Sequence, residues 1–263
     1  MNMIEYLLPL FGFLIGTIAS MVGIGGGVFI VPLLALLYGF DPSQAVGTSL
    51  TSIIFTSIAS TLNYSRQKRI YYKTGILLAI TTVPGAYLGA YLTSLLSSRE
   101  LGLIFGFFLI FVALRMIANF HVSTKNMERE NHNVKSEADL FNSRTKLLSG
   151  IALSFFGGLA SGLLGIGGGA LLVPIMTLVM AIPIHFAVAT SMFTMIFTST
   201  SGVTQHYMLG NIQIAHALAL ALGTIFGAQL GAYSSKRISS KNLRRIFGIV
   251  LIIVSIRMIM KFV

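Results

Sequence analysis

The chain carries one pattern twice, at a constant spacing of 142 residues from Gly23 to Gly165. Gly23-Ile24-Gly25-Gly26-Gly27 recurs as Gly165-Ile166-Gly167-Gly168-Gly169, and Val31-Pro32 as Val173-Pro174. Thr48-Ser49 returns as Thr190-Ser191, and Phe55-Thr56-Ser57 as Phe197-Thr198-Ser199. GAYLGAY at 85–91 returns as GAQLGAY at 227–233, and Arg115-Met116-Ile117 as Arg257-Met258-Ile259. Scattered matches can come from apolar composition alone. One ungapped register running from Gly23 to Ile117 requires a duplicated structural unit.

What each unit folds into depends on its solvent. Hydrophobic residues are 55% of the chain and charged residues 10%, against about 25% charged in a soluble domain. So few charges cannot cover a soluble surface, and the chain reads as a polytopic integral membrane protein. Its 27 glycines and 12 methionines suit closely packed membrane helices. Each half holds five apolar segments: 4–22, 28–39, 44–63, 74–96 and 101–118, then 147–164, 170–182, 186–204, 214–233 and 245–260. A bilayer core needs about 20 helical residues. The second segment of each half is shorter than that and starts directly after the glycine cluster. Short, Gly-interrupted segments at matching places in two halves point to a transporter's binding site. The first segment follows Met1-Asn2-Met3-Ile4-Glu5, which has no basic stretch, and reads as a retained helix.

The formal charge is +11. The basic residues gather in short loops and segment ends, so membrane orientation accounts for them and no nucleic-acid partner is expected. Arg66, Lys68, Arg69 and Lys73 separate the third and fourth segments of the first half, whereas the matching loop 207–213 has no Lys or Arg. Lys236, Arg237, Lys241, Arg244 and Arg245 follow the fourth segment of the second half, opposite a lone Arg99 in the first. The basic loops swap places, so the two repeats should be inserted upside down relative to each other. Each then crosses an odd number of times: five, or three if the first two segments only dip in and out. The predicted fold is an all-α polytopic membrane protein of two inverted-topology repeats, with about five helical segments each and Gly-interrupted short or half helices. The repeats occupy 1–119 and 146–263. The polar stretch 120–145, which holds Glu128, Glu130, Glu137 and Asp139, reads as a solvated cytoplasmic linker, with both termini outside.

With no Cys, disulfides, thiolate metal sites and Cys nucleophiles are excluded. Glu5, Asp41, Glu100 and the four linker carboxylates all avoid the segment centres. That disfavours a cationic substrate or a carboxylate proton relay. No HExxH occurs, so no metal, cofactor or intramembrane enzyme is expected.

The candidate substrate-binding residues are led by Gly23, Gly25, Gly26 and Gly27 and by Gly165, Gly167, Gly168 and Gly169. A glycine-rich break followed by a short helix aims free N–H groups and the positive end of a dipole at the break. That is an anion site at mid-membrane without a lysine. Pro32 and Pro174 either set the angle of the short helix or simply kink it. Thr48, Ser49, Thr190 and Ser191 offer hydroxyl donors to an anion, and equally suit helix capping or back-bonding. Asn63-Tyr64 corresponds to Gln205-His206. Asn63, Gln205 and His206 line the route or sit at the interface, and His206 can titrate near neutral pH. Arg115 and Arg257 either draw an anion into a vestibule or snorkel to headgroups. The pairs Gly85/Gly89 and Gly227/Gly231 read as close helix packing.

GIGGGVFIVP at 23–32 and GIGGGALLVP at 165–174 share the form G-x-GGG-x4-P, each followed by a Thr-Ser pair. These paired motifs resemble the TauE/SafE sulfite exporter family, also called the toluene-sulfonate uptake permease family. The resemblance covers both halves and leaves out the linker. It implies secondary transport of small sulfur-containing anions, such as sulfite, sulfoacetate or other organosulfonates, across the prokaryotic plasma membrane. It places Gly23, Gly25, Gly26, Gly27 and Pro32 in the first motif, and Gly165, Gly167, Gly168, Gly169 and Pro174 in the second. The expected function is export of a small sulfur oxyanion or organosulfonate by alternating access. The expected partners are that anion and the lipid bilayer, with a homo-oligomer left open. A passive anion channel on the same site is the alternative. A membrane scaffold, a further alternative, has no need of backbone donors at mid-bilayer.

Overall fold

Lipid offers no hydrogen bonds to a bare backbone, so a chain this apolar must close its peptide groups inside helices. The computed structural model describes residues 7–118, 137–235 and 240–263, and every regular element in them is helical. The first half comprises α1 (Leu8–Val22), α2 (Gly27–Pro32), α3 (Pro42–Arg66), α4 (Tyr72–Leu92) and α5 (Ser98–Ala118). A short α6 (Glu137–Asn142) precedes the second half, formed by α7 (Arg144–Leu164), α8 (Gly169–Pro174), α9 (Ile184–Met208), α10 (Ile214–Ser234) and α11 (Ser240–Phe262). Among the described residues, five stretches are long and apolar enough to cross a membrane: Pro42–Arg66, Tyr72–Leu95, Arg144–Leu164, Ile184–Met208 and Ile214–Ser234.

The second helix of each half is short, as its sequence predicts. Proline lacks an N–H and crowds the carbonyl one turn back. Directly after Pro32 and Pro174 the helix widens into a π-helical turn, Leu33–Leu37 and Ile175–Val179. In the second of these the Met180 N–H reaches the Ile175 carbonyl at 3.1 Å. At both prolines the α-helix therefore gives way to a π turn. Together the α and π turns run Gly27–Leu37 and Gly169–Val179. At 1.5 Å per residue each is about 16 Å long, roughly half the hydrocarbon thickness.

The halves interleave. α1 lies along α10, and α7 lies along α4, so the first long helix of each half pairs with the fourth helix of the other. α3 packs on α10 and α9 on α4, while α3 meets α9 and α5 meets α11. Exchanging the two halves maps every one of these pairs onto another or onto itself. The turns repeat as well: Lys68 (φ 54°) answers Gly210 (φ 70°), and Gly39 (φ 70°) answers Ala181 (φ 56°). Large apolar side chains such as Leu14, Ile80, Phe107, Phe156, Leu222 and Phe226 point outward, where lipid replaces water as the solvent.

The α4–α7 and α1–α10 pairs approach backbone to backbone. A β-carbon on Gly85 or Gly89 would overlap the Phe155 or Leu159 carbonyl oxygen, and one on Gly162 would overlap that of Ala86. In the mirror pair, β-carbons on Gly227 and Gly231 would overlap the Phe13 and Thr17 carbonyls. The close packing read from these glycine pairs is present.

One expectation is modified. From Glu137 the linker is docked rather than solvated. Leu140 is fully buried in a cluster with Tyr71, Leu172 and Met176. The Glu137 carboxylate accepts from the Thr74 N–H (2.8 Å) and hydroxyl (3.0 Å), satisfying an N–H in the first turn of α4. The remainder of the linker, with Lys125, Arg129 and Lys135, lies outside the described residues.

Gly162→Ala and Gly89→Ala should each force a helix pair apart and lower thermal stability by about 1–3 kcal/mol. Gly157→Ala is the control. Its β-carbon would meet only ordinary contacts, beginning at 3.6 Å from Leu172. Thermal unfolding in detergent should separate the first two variants from the third.

Candidate functional site

Each glycine cluster breaks a helix in the same way. α1 ends at Gly23 (φ 81°), whose N–H donates to the Ala19 carbonyl at 2.9 Å. Gly25 (φ 85°) and Gly26 (φ 99°) continue in the left-handed region, where a side chain is strained. The ladder resumes when the Phe29 and Ile30 N–H groups donate to the Gly26 carbonyl. The second break repeats this with Gly165 (φ 69°), Gly167 (φ 75°) and Gly168 (φ 86°), and the Leu171 and Leu172 N–H groups return to the Gly168 carbonyl. Among the described residues, the N–H groups of Gly25, Gly26 and Gly27, and of Gly167, Gly168 and Gly169, fall in the gaps between these ladders.

The two breaks are in contact. A β-carbon on Gly27 would overlap the Gly165 carbonyl oxygen, and one on Gly169 would overlap that of Gly23. The Ser49 hydroxyl donates to the Gly165 carbonyl at 2.8 Å, and the Ser191 hydroxyl is shared between the Gly23 carbonyl at 3.0 Å and the Val188 carbonyl of its own helix at 2.8 Å. Each half thus supplies the hydroxyl that satisfies the other half's helix end. The neighbouring threonines work on the opposite side. Thr48 Oγ1 accepts from the Gln213 N–H at 3.1 Å, and Thr190 Oγ1 accepts from the Tyr71 N–H at 3.0 Å. Gln213 and Tyr71 precede α10 and α4, so both threonines hold helix starts of the other half. Of the two uses open to these hydroxyls, all four are engaged with backbone. A serine has one proton to give, and Ser49 and Ser191 give theirs to carbonyls.

Apolar side chains seal the junction. The Met195 methyl would collide with a β-carbon on Gly25, and the Ile53 Cγ2 would stand 2.9 Å from one on Gly167. Ile53 and Met195 are equivalent positions, both fully buried. Sequence reading passed over them because an apolar residue on an apolar helix carries no signal.

The other candidates are dispersed around this junction. His206 is fully buried and its Nε2 lies 3.0 Å from the Gly162 carbonyl. A carbonyl only accepts, so Nε2 carries the hydrogen and Nδ1 accepts from Asn211 Nδ2 at 3.4 Å. Tyr64, its equivalent, does the same job, donating its hydroxyl to the Ser20 carbonyl at 2.8 Å. Both are ties from a central helix to a neighbouring one. Asn63 Nδ2 donates to Gln229 Oε1 at 3.1 Å, and Asn63 Oδ1 accepts from Gln67 at 2.8 Å. Gln229 is the one polar departure between GAYLGAY and GAQLGAY, which is the signal that would have found it. Gln205 is buried, and its Oε1 has no partner among the described residues. Arg257 lines an open hollow of about 560 Å³ with Leu36, Leu37, Met260 and Lys261, at the far end of the π turn rather than at the break. The Arg115 side chain lies outside the described residues. Among the described residues, no cluster of His, Asp or Glu could hold a metal ion.

Known proteins resemble the chain over nearly its whole length. Residues 8–258 match the model of the family described as sulfite exporter TauE/SafE. The chain is similar to the "Probable membrane transporter protein YunE" of Bacillus subtilis, at 36% identity covering 96% of both chains. It is also similar to a probable membrane transporter protein of Methanocaldococcus jannaschii, at 30% identity covering 97% of this chain and 95% of that one. A third relative, from Haemophilus influenzae, is 27% identical over 96% of this chain and 97% of its own length. No solved structure matches the chain significantly. With helices long enough to cross the bilayer and whole-length prokaryotic relatives, the chain is a multi-pass protein of a prokaryotic cell membrane, and it belongs to the TauE/SafE sulfite exporter family.

Proposed function

We propose that the chain is a secondary transporter that exports a small sulfur-containing anion, sulfite or an organosulfonate such as sulfoacetate, by alternating access. The observation that carries this reading is the meeting of two broken, buried backbones, with glycine N–H groups left out of both helical ladders. Oxyanion oxygens accept hydrogen bonds and favour the positive ends of aligned peptide dipoles. The substrate site is assigned to Gly23, Gly25, Gly26 and Gly27 with Gly165, Gly167, Gly168 and Gly169, and Asn63 and Gln205 flank the route. The repeats 1–119 and 146–263 take opposite orientations, joined by 120–145 on the cytoplasmic side. The swapped basic loops support this. Ile53 and Met195 stand against the breaks, so their withdrawal is the motion this reading requires. Anion export also runs with an inside-negative potential, worth about 2.3 kcal/mol per charge per 100 mV.

Counterflow in proteoliposomes tests the carrier. Sulfite or sulfoacetate flux should saturate and be stimulated by substrate on the opposite side; linear flux without such stimulation would assign a passive anion channel instead. Gly26→Leu and Gly168→Leu place a side chain at φ 99° and φ 86° inside the break. They should weaken sulfite binding to purified protein at least about tenfold, the loss of a single charge-assisted hydrogen bond. If both variants fold and bind like the wild type, the glycine site is wrong. His206 ties α9 to α7, so His206→Gln should lower the melting temperature and leave the pH dependence of transport unchanged. Loss of pH-driven flux in that variant would make His206 the proton carrier.

A further inference from the structure

The two breaks are copies in backbone but not in surroundings. Around Gly26 the nearest side chains are Ile15, Ala19 and Ile30, all apolar. In the second break, a β-carbon on Gly168 would lie 3.6 Å from the Ser161 Cβ, and one on Gly167 would lie 3.5 Å from the Ser199 hydroxyl oxygen. Ser161 stands where the first half has Ala19. Ser199 answers Ser57, whose hydroxyl donates to the Ile53 carbonyl at 2.7 Å. Ser161 and Ser199 are both fully buried, and neither hydroxyl has a hydrogen-bond partner among the described residues. A hydroxyl on a membrane helix normally spends its proton on the preceding turn. Thr194, Thr198, Thr200 and Thr204 on the same helix as Ser199 all do so. Two buried donors held back from that use, one on α7 and one on α9, flank the same pair of glycines.

We propose that the anion is held asymmetrically, at the second break. The Ser161 and Ser199 hydroxyls donate to its oxygens beside the N–H groups of Gly167 and Gly168, and the first break, whose Gly26 is surrounded by apolar side chains, closes over it. This rests on the anion-transport reading above and adds where the ligand sits and which side chains select it. A pyramidal or tetrahedral oxyanion presents several acceptor oxygens, which donors from two helices and one backbone segment can meet together. The duplicated fold brings the two breaks together, and the two unpartnered serine hydroxyls lie beside the second break only.

Calorimetric titration of sulfite and of sulfoacetate into the full chain in lipid nanodiscs tests this. Ser161→Ala and Ser199→Ala should each weaken binding about tenfold, and the double variant more than either. Ser57→Ala, whose hydroxyl is committed to Ile53, should bind as the wild type does. Where an alanine variant fails to fold, Ser161→Cys or Ser199→Cys replaces it, keeping the side-chain size with a much weaker donor. Folded serine variants that bind like the wild type would overturn the proposal. So would a loss in Ser57→Ala equal to that in Ser199→Ala. If the wild type binds neither anion, the transport reading itself fails and takes this inference with it.

Discussion

A helix interrupted inside a bilayer leaves peptide groups that lipid cannot satisfy, and such a break survives only where protein covers it. Here each break is covered by the other. Gly27 lies against the Gly165 carbonyl and Gly169 against the Gly23 carbonyl, at a separation no β-carbon would permit. Ser49 and Ser191 then cross between halves to satisfy the same two carbonyls. Each half thus completes the cover of the other's break. The pairing of the repeats is therefore a condition of the fold rather than an association of finished units.

The rest of the helix arrangement follows from that junction. α3 and α9 carry the serines and threonines that reach across it, and both are the most buried of the crossing helices. Their remaining hydroxyls mostly bond to their own backbone one turn earlier, as Thr56, Ser60, Thr194 and Thr198 do. This lets polar side chains sit in a lipid-embedded core at little cost. Around them, glycine contacts draw α1 onto α10 and α4 onto α7, since helices in lipid gain little from hiding apolar surface and must associate by close packing.

Duplication gives two equivalent scaffolds, and their side chains have since diverged. Tyr64 and His206 hold equivalent carbonyls with different chemistry. Gln229 bonds Asn63, whereas its equivalent Tyr87 is exposed on α4. Ser161 replaces Ala19 beside one break and not the other. On the transport reading proposed above, a symmetric frame offers two places to hold a ligand and two directions to open. Substitutions confined to one copy are what can make the ends and the two sites unequal.

The amino-acid sequence by itself determined the helical class, the two copies, the short second helices, the glycine breaks and the close-packed GAYLGAY and GAQLGAY faces. All of these follow from hydropathy, spacing and the φ angles that only glycine adopts freely, which are properties of a residue and its near neighbours. Only the tertiary structure decided that Thr48, Ser49 and Thr190 find partners more than a hundred residues away, and that Ser191 adds the distant Gly23 carbonyl to a bond within its own helix. It also decided that Leu140 and Glu137 dock, that the prolines open into π turns, and that Ile53 and Met195 seal the junction. A hydroxyl binds equally well to its own turn, to a distant backbone or to a ligand. The choice is made by which atoms the packed helices bring within three ångströms, and sequence spacing carries no record of that distance.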